Sequence, residues 1–200
     1  MPYCHITLLS LKCEQLFLLF RKDVFMNYSK IYYCDIANGT GVRTSLFVSG
    51  CRNHCIECFN KETWDFSHGE PFDEEVQKKI LSSISPSYVE GISILGGEPM
   101  EPENQEALLP FLLELKKALP KKTVWIYTGF TFEELFDEKK RCCTEYTKGI
   151  LSTTDILVDG PFLIEKKNIS LAFRGSENQR IIDVKETLLR KKVVLSPLMQ

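Results

Sequence analysis

From Met26 onward, short apolar runs bounded by glycine alternate with stretches whose apolar residues recur at helical spacing. Thr44-Ser45-Leu46-Phe47-Val48, stopped by Gly50, predicts a strand, and Gly91 to Leu95, closed by Gly96-Gly97, predicts a second, buried one. Thr123 to Tyr127, ended by Thr128-Gly129, and Thr154 to Val158, stopped by Asp159-Gly160-Pro161, predict two more. Cys34 falls in a further strand-like run, and Arg180 to Val184 and Lys192 to Leu195 read as late strands at one edge. Between these lie helical patterns. Phe72 to Ser83 begins near Asp73, a good N-cap, and spaces Val76, Ile80 and Ile84 along one face. A helix from about Glu103 aligns Leu108, Leu112, Leu115 and Leu119, with Pro110 predicting a kink or a late start. Phe132 to Lys140 also reads as helical. Strands alternating with helices imply βαβ units and a mainly parallel sheet in one α/β domain.

Composition narrows the classes. The 200 residues carry 25 basic and 27 acidic side chains, a net charge of -2, which argues against a broad nucleic-acid footprint. No apolar run approaches a membrane span. A fraction of 44% hydrophobic and 26% charged residues is that of a folded globular chain. Before Met26 the chain is rich in leucine and phenylalanine, but Lys12 and Glu14 interrupt the run and no basic residue precedes it, which argues against a secretion signal. We expect translation to start at Met26, with residues 1–25 an extension outside the domain of residues 26–200.

The spacing of the cysteines carries the chemistry. Cys51-Arg52-Asn53-His54-Cys55-Ile56-Glu57-Cys58 directly follows the first predicted strand and sets three of the eight cysteines at CxxxCxxC. A structural zinc site takes four ligands, often as two CxxC pairs, and His54 inside the loop is awkwardly placed to be the fourth. Three thiolates on a four-iron cubane leave one iron open to a small chelating molecule, whereas a fully ligated cluster normally only carries electrons. Cys34 and the adjacent Cys142 and Cys143 read as structural. Reduced cysteines and an oxygen-labile cluster imply the cytoplasm and anaerobic work.

The CxxxCxxC loop followed by Phe59, together with Gly96-Gly97-Glu98-Pro99 at a strand end, resembles the radical S-adenosylmethionine (SAM) superfamily. More narrowly, Asp35 to Thr44, Leu46 to Cys51, Asn60 to Trp64, Trp125 to Gly129, Val158 to Phe162 and Arg174 to Arg180 are similar to the activating proteins of anaerobic ribonucleoside-triphosphate reductase, with the likeness running from about Met26 to Val194. The resemblance implies an incomplete (β/α) barrel. It implies a 4Fe-4S cluster on Cys51, Cys55 and Cys58, and SAM bound through its amino and carboxylate groups at the open iron. SAM contacts would come from Glu57, Cys58, Phe59, Gly96, Gly97, Glu98 and Thr128. No side chain is catalytic, because cluster and cofactor carry the reaction: reductive cleavage of SAM, then hydrogen abstraction from a glycine of the reductase large subunit. Asp159, Arg174, Ser176, Asn178 and Arg180 would dock that partner. Arg43, beside the Asn38-Gly39-Thr40-Gly41 turn, would steer SAM or substrate. The reducing partner would be of the flavodoxin or ferredoxin type. Two other functions compete: activation of another glycyl-radical enzyme such as pyruvate formate-lyase, and a non-catalytic metal-binding adaptor of the reductase. The diglycine strand end speaks against an adaptor, which needs no SAM pocket.

Overall fold

Residues 26–199 are described by the computed structural model, so the extension expected at residues 1–25 lies outside the described residues. The chain enters through β1 (Asn27–Asp35) and β2 (Val42–Val48), passes the cysteine loop and reaches the two-residue β3 (Glu70–Pro71). Helix α1 (Glu74–Ile84), β4 (Val89–Gly96), α2 (Pro102–Ala118) and β5 (Thr123–Tyr127) follow. Helix α3 (Thr147–Thr153), β6 (Ile156–Asp159), β7 (Arg180–Asp183) and α4 (Val184–Arg190) complete the described chain.

The strands form one sheet in the order β3-β1-β2-β4-β5-β6-β7. Its centre, β2-β4-β5-β6, is parallel, as the alternating pattern predicts. The flanking strands β1, β3 and β7 pair antiparallel. Side chains on a strand alternate between faces, and here the two faces differ in kind. Leu46, Val48, Ile92, Ile94, Val124, Ile126 and Leu157 point to one side and pack with Ile80, Ile84, Leu108, Phe111, Leu112 and Leu115 of the helices. On the opposite side Trp125, Val158 and Ile181 form a small cluster with Tyr127 and Phe173. That second face receives loops in place of helices, and the site is built on it.

Asp73 caps α1 as predicted, its carboxylate accepting from Val76 N at 2.9 Å. Helix α2 starts with Pro102 in its first turn and runs unbroken through Pro110, so the expected late start does not occur. Phe132 to Lys140 is not a helix. Only a 3-10 turn forms at Glu134–Phe136, because Asp137 turns the chain by accepting from Lys139 N, and the polar stretch beyond it offers no apolar stripe. Lys192 to Leu195 makes a single bridge, Leu195 to Ile182, in place of a strand. The intervening α4 is capped by Asp183, which accepts from Glu186 N at 3.0 Å; this Asp-x-x-Glu pattern was the available signal for a helix start.

Asp155, 13% exposed, ties three elements together at the rear of the sheet. It accepts from Lys116 Nζ of α2 at 2.6 Å, Val124 N of β5 at 2.8 Å and Lys185 Nζ of α4 at 2.5 Å. Burial raises the carboxyl's pKa, but the two ammonium groups and the N–H outweigh burial and hold it below the usual carboxylate value. A folded value below the unfolded one means that this stabilisation is complete above about pH 4 and is lost as pH falls through the folded value. Asp155→Asn is expected to cost about 2–4 kcal/mol at neutral pH. Urea denaturation across a pH series should show both that loss and a flatter acid limb in the variant; equal midpoints at neutral pH would contradict the assignment.

Candidate functional site

Three parallel strands end beside one another, at Val48-Ser49-Gly50, Gly96-Gly97 and Thr128-Gly129. Ligands in open α/β sheets bind at the carboxyl ends of strands, and the cysteine loop folds over this position. The loop holds no regular structure until the 3-10 turn Lys61–Trp64. It is anchored at its start by Gly50 N to Thr63 O at 2.8 Å and Cys51 N to Trp64 O at 3.2 Å. His54 and Glu57 take left-handed conformations, with φ of 47° and 55°, which turns the chain twice within eight residues.

The loop and the strand ends enclose a cavity of about 510 Å³, within the range of small-molecule sites. Cys51, Cys55 and Cys58 line it, as do Phe59, Gly96, Gly97, Glu98, Thr128 and Arg174. Gly97 allows the backbones to meet, since a Cβ there would stand 2.7 Å from Gly50 O. Its N–H donates to Val48 O at 2.7 Å, and Glu98 N donates to Gly50 O at 2.9 Å. Gly96 has φ of 104°, a conformation suited to glycine.

The donor set fits an iron–sulfur cluster. Among the described residues no three His, Cys, Asp or Glu converge as ligands of a single ion. The three thiols instead share one cavity wall, and a four-iron cluster takes each thiolate on a different iron. Burial pushes the Cys51 thiol up to about 12 and also raises Cys55. A metal group bound here would have to displace protons from these thiols.

Glu98 is the polar hub of the cavity floor. It is 1% exposed. Oε1 accepts from Met100 N at 2.9 Å and Thr128 Oγ1 at 2.7 Å; Oε2 accepts from Gly129 N and Asn53 Nδ2, both at 2.8 Å. Burial raises its pKa to about 7 against the pull of those donors. Beneath the loop, at the N-cap of α2, Glu101 is fully buried and accepts from Arg52 N at 2.9 Å, Arg52 Nη1 at 2.7 Å and Arg141 Nε at 3.1 Å.

A family model described as "4Fe-4S single cluster domain" matches residues 37–182. The anaerobic ribonucleoside-triphosphate reductase-activating protein of Pasteurella multocida is 40% identical over 158 residues, covering 78% of this chain and 96% of that protein. The protein of the same name from Haemophilus influenzae is 39% identical, over 78% of this chain and 97% of its own length. The one from Enterobacteria phage T4 is 35% identical, over 78% and 93%. The chain belongs to the anaerobic ribonucleoside-triphosphate reductase-activating protein family.

Within this family member, the residues singled out from the sequence divide into two groups. The three cysteines, Phe59, the diglycine, Glu98, Thr128 and Arg174 meet at the cavity. Glu57 is exposed and does not line it. Asp159, fully buried, engages Arg180 through Nε at 2.9 Å and Nη2 at 2.5 Å, and also accepts from Phe132 N at 2.7 Å. Arg180 reaches on to Glu133 at 2.7 Å. Ser176 is buried and accepts from Leu163 N at 3.3 Å, while Asn178 Nδ2 donates to Pro161 O at 2.7 Å. These four residues knit together the loop that walls one side of the cavity.

Arg43 corrects the sequence reading. It is fully buried on the inner face of β2 and steers no ligand. Its guanidinium donates to Ser93 Oγ at 2.8 Å, Ile92 O at 2.7 Å, Thr123 Oγ1 at 2.9 Å and Thr123 O at 3.0 Å, and lies 5.3 Å from the Trp125 ring centroid. Burial lowers its pKa to about 10, which leaves it charged at neutral pH. Sequence reasoning also passed over Asn53, Glu101 and Arg141, whose partners are remote in the chain. Tyr127, a cavity residue, has a hydroxyl without a hydrogen-bond partner among the described residues.

Proposed function

We propose that this chain is an iron–sulfur radical SAM enzyme that activates anaerobic ribonucleoside-triphosphate reductase. One observation carries the reading: the three cysteines of the CxxxCxxC loop and the diglycine end of β4 line the same cavity. Cys51, Cys55 and Cys58 would hold one 4Fe-4S cluster, leaving one iron for SAM. With both bound, cluster and SAM supply a one-electron reductive cleavage that yields methionine and, after hydrogen abstraction, 5′-deoxyadenosine, leaving a glycyl radical on the reductase.

The chain's own residues bind, orient and exclude water. Gly96 and Gly97 bring backbone close to the amino-acid end of SAM, where no side chain would fit. Phe59, 78% exposed at the cavity edge, offers its ring to the adenine, with Cys58 beside it on the cavity wall. Glu98 and Thr128 hold the floor through their mutual hydrogen bond and set the polarity facing the SAM ammonium. On the opposite wall Arg174 faces the cavity, and among the described residues its Nε has no partner. The same is true of Asn178 Oδ1 in the same loop. Both atoms are buried, and the Arg174 guanidinium is held by Gln179 O and Met199 O; with Ser176 and the Asp159–Arg180 pair they shape the loop that would face the partner's glycine segment. The helix-free inner face of the sheet acts as the inside of an incomplete barrel whose open side admits that segment. The electron donor is of the flavodoxin or ferredoxin type, and the setting is the anaerobic cytoplasm. Among the described residues no helix is long and apolar enough to cross a membrane.

Anaerobic reconstitution with iron and sulfide, followed by dithionite and SAM, tests the reading. We expect 5′-deoxyadenosine, and with the reductase present a glycyl signal in electron paramagnetic resonance. No deoxyadenosine under any condition would remove the enzyme; deoxyadenosine with no glycyl signal would point to a different partner.

A further inference from the structure

Asn53 lies between two of the three cysteines, and both ends of its side-chain amide are taken by groups far away in the chain. Its Nδ2 donates to Glu98 Oε2 at 2.8 Å. Its Oδ1 accepts from Arg141 Nη2, and Arg141 in turn pairs with the buried Glu101 at 3.1 Å. Glu98 carries the contact onward to Thr128 and Gly129 at the end of β5. Gly129 is shaped for this contact, since a Cβ there would stand 2.5 Å from Asn53 Nδ2. The loop has no helix or strand of its own from Cys51 to Asn60. Its position relative to the strand ends is thus fixed at its start by backbone bonds, at Arg52 by Glu101 and Glu103, and at Asn53 by this amide, which among these ties reaches the Glu98 floor.

We propose that Asn53 is a positioning residue that sets the cysteine loop against the Glu98 floor, so that a ligand held at the strand ends meets the metal group held by the loop. The inference rests on the reading that cluster and SAM share this cavity. It does not require Asn53 to touch either of them. A donor and an acceptor are both needed, which an aspartate cannot provide. A carboxylate at this position would still accept from Arg141 but has no N–H to give Glu98, so the two carboxyl groups would repel or have to share a proton.

The test uses the full chain, reconstituted anaerobically, as wild type, Asn53→Asp, Asn53→Ala and Gly129→Ala. Iron content and thermal midpoint report whether loop and fold survive. SAM titration of the reduced cluster, followed by electron paramagnetic resonance, reports alignment. Asn53→Asp, isosteric with the native residue, is expected to retain wild-type iron content. Its apparent Kd for SAM should rise about 10-fold or more, the range seen when an outer-shell partner of a metal site is lost, and its SAM-dependent signal change should be smaller. Gly129→Ala, which displaces the amide, should reproduce the defect. Wild-type affinity and an unaltered signal in Asn53→Asp would overturn the inference alone, whether or not Asn53→Ala folds. A wild-type cluster that ignores SAM would overturn the functional reading and the inference with it.

Discussion

Replacing Cys55 by alanine is expected to abolish the visible absorbance of the reconstituted cluster and to reduce deoxyadenosine formation by more than about 100-fold, beyond the cost of losing even a supporting group at a metal site. The fold should survive. Cys55 is half-buried at the cavity wall and makes no side-chain contact with the apolar core behind the sheet. The thermal midpoint of the apoprotein should therefore stay close to that of wild type. The same should hold for Cys51 and Cys58, with a larger stability cost at Cys51, which is buried. Cys34 is the control: exposed and on β1, it is expected to be replaceable by alanine with iron content and activity intact. A Cys55→Ala protein that keeps both absorbance and activity would disprove the ligand assignment.

The second large effect lies beneath the cavity. Arg43→Met is expected to destabilise the chain by about 3–5 kcal/mol, because the acceptors on Ser93 and Ile92 are buried, that on Thr123 is half-buried, and all would lose a charged donor they now share. Arg43→Lys should recover only part of that loss. An ammonium is a point donor, whereas the planar guanidinium links β2 to β4 and β5 and lies 5.3 Å from the Trp125 ring centroid. Urea midpoints of the two variants decide the matter. If Arg43→Lys were fully stable but bound SAM poorly, Arg43 would be a ligand contact after all and not a strut.

These two residues also mark what a sequence can and cannot disclose. The cysteine cluster is legible because its spacing is local: three cysteines within eight positions, straight after a strand, fall together at one cavity wall. The diglycine is legible for the same reason. Arg43 looked like a ligand contact because it follows a glycine-rich turn, yet the turn does not say which face of β2 the side chain takes. Only pairing with β4 and β5 puts it inside. Glu101 and Asn53 gave no sign at all, since Asn53 meets Arg141 across 88 residues and Arg52 meets Glu101 across 49. The strands of the parallel centre were readable from apolar runs stopped by glycine. The seven-residue α3 was not, because its order comes from outside: Thr147 Oγ1 donates to Gln105 Oε1 of α2 at 2.8 Å, and Gly149 lets Leu109 pack close against it.

The buried carboxylates under the cysteine loop have one more consequence. Glu98 and Glu101 grip Asn53, Arg52 and Arg141 through protein groups alone, so the frame's hydrogen bonds need no inorganic guest and are expected to persist without one. Air that strips the iron would leave an intact mould. Recovery after oxygen exposure would then be a matter of mineral supply, with no refolding required.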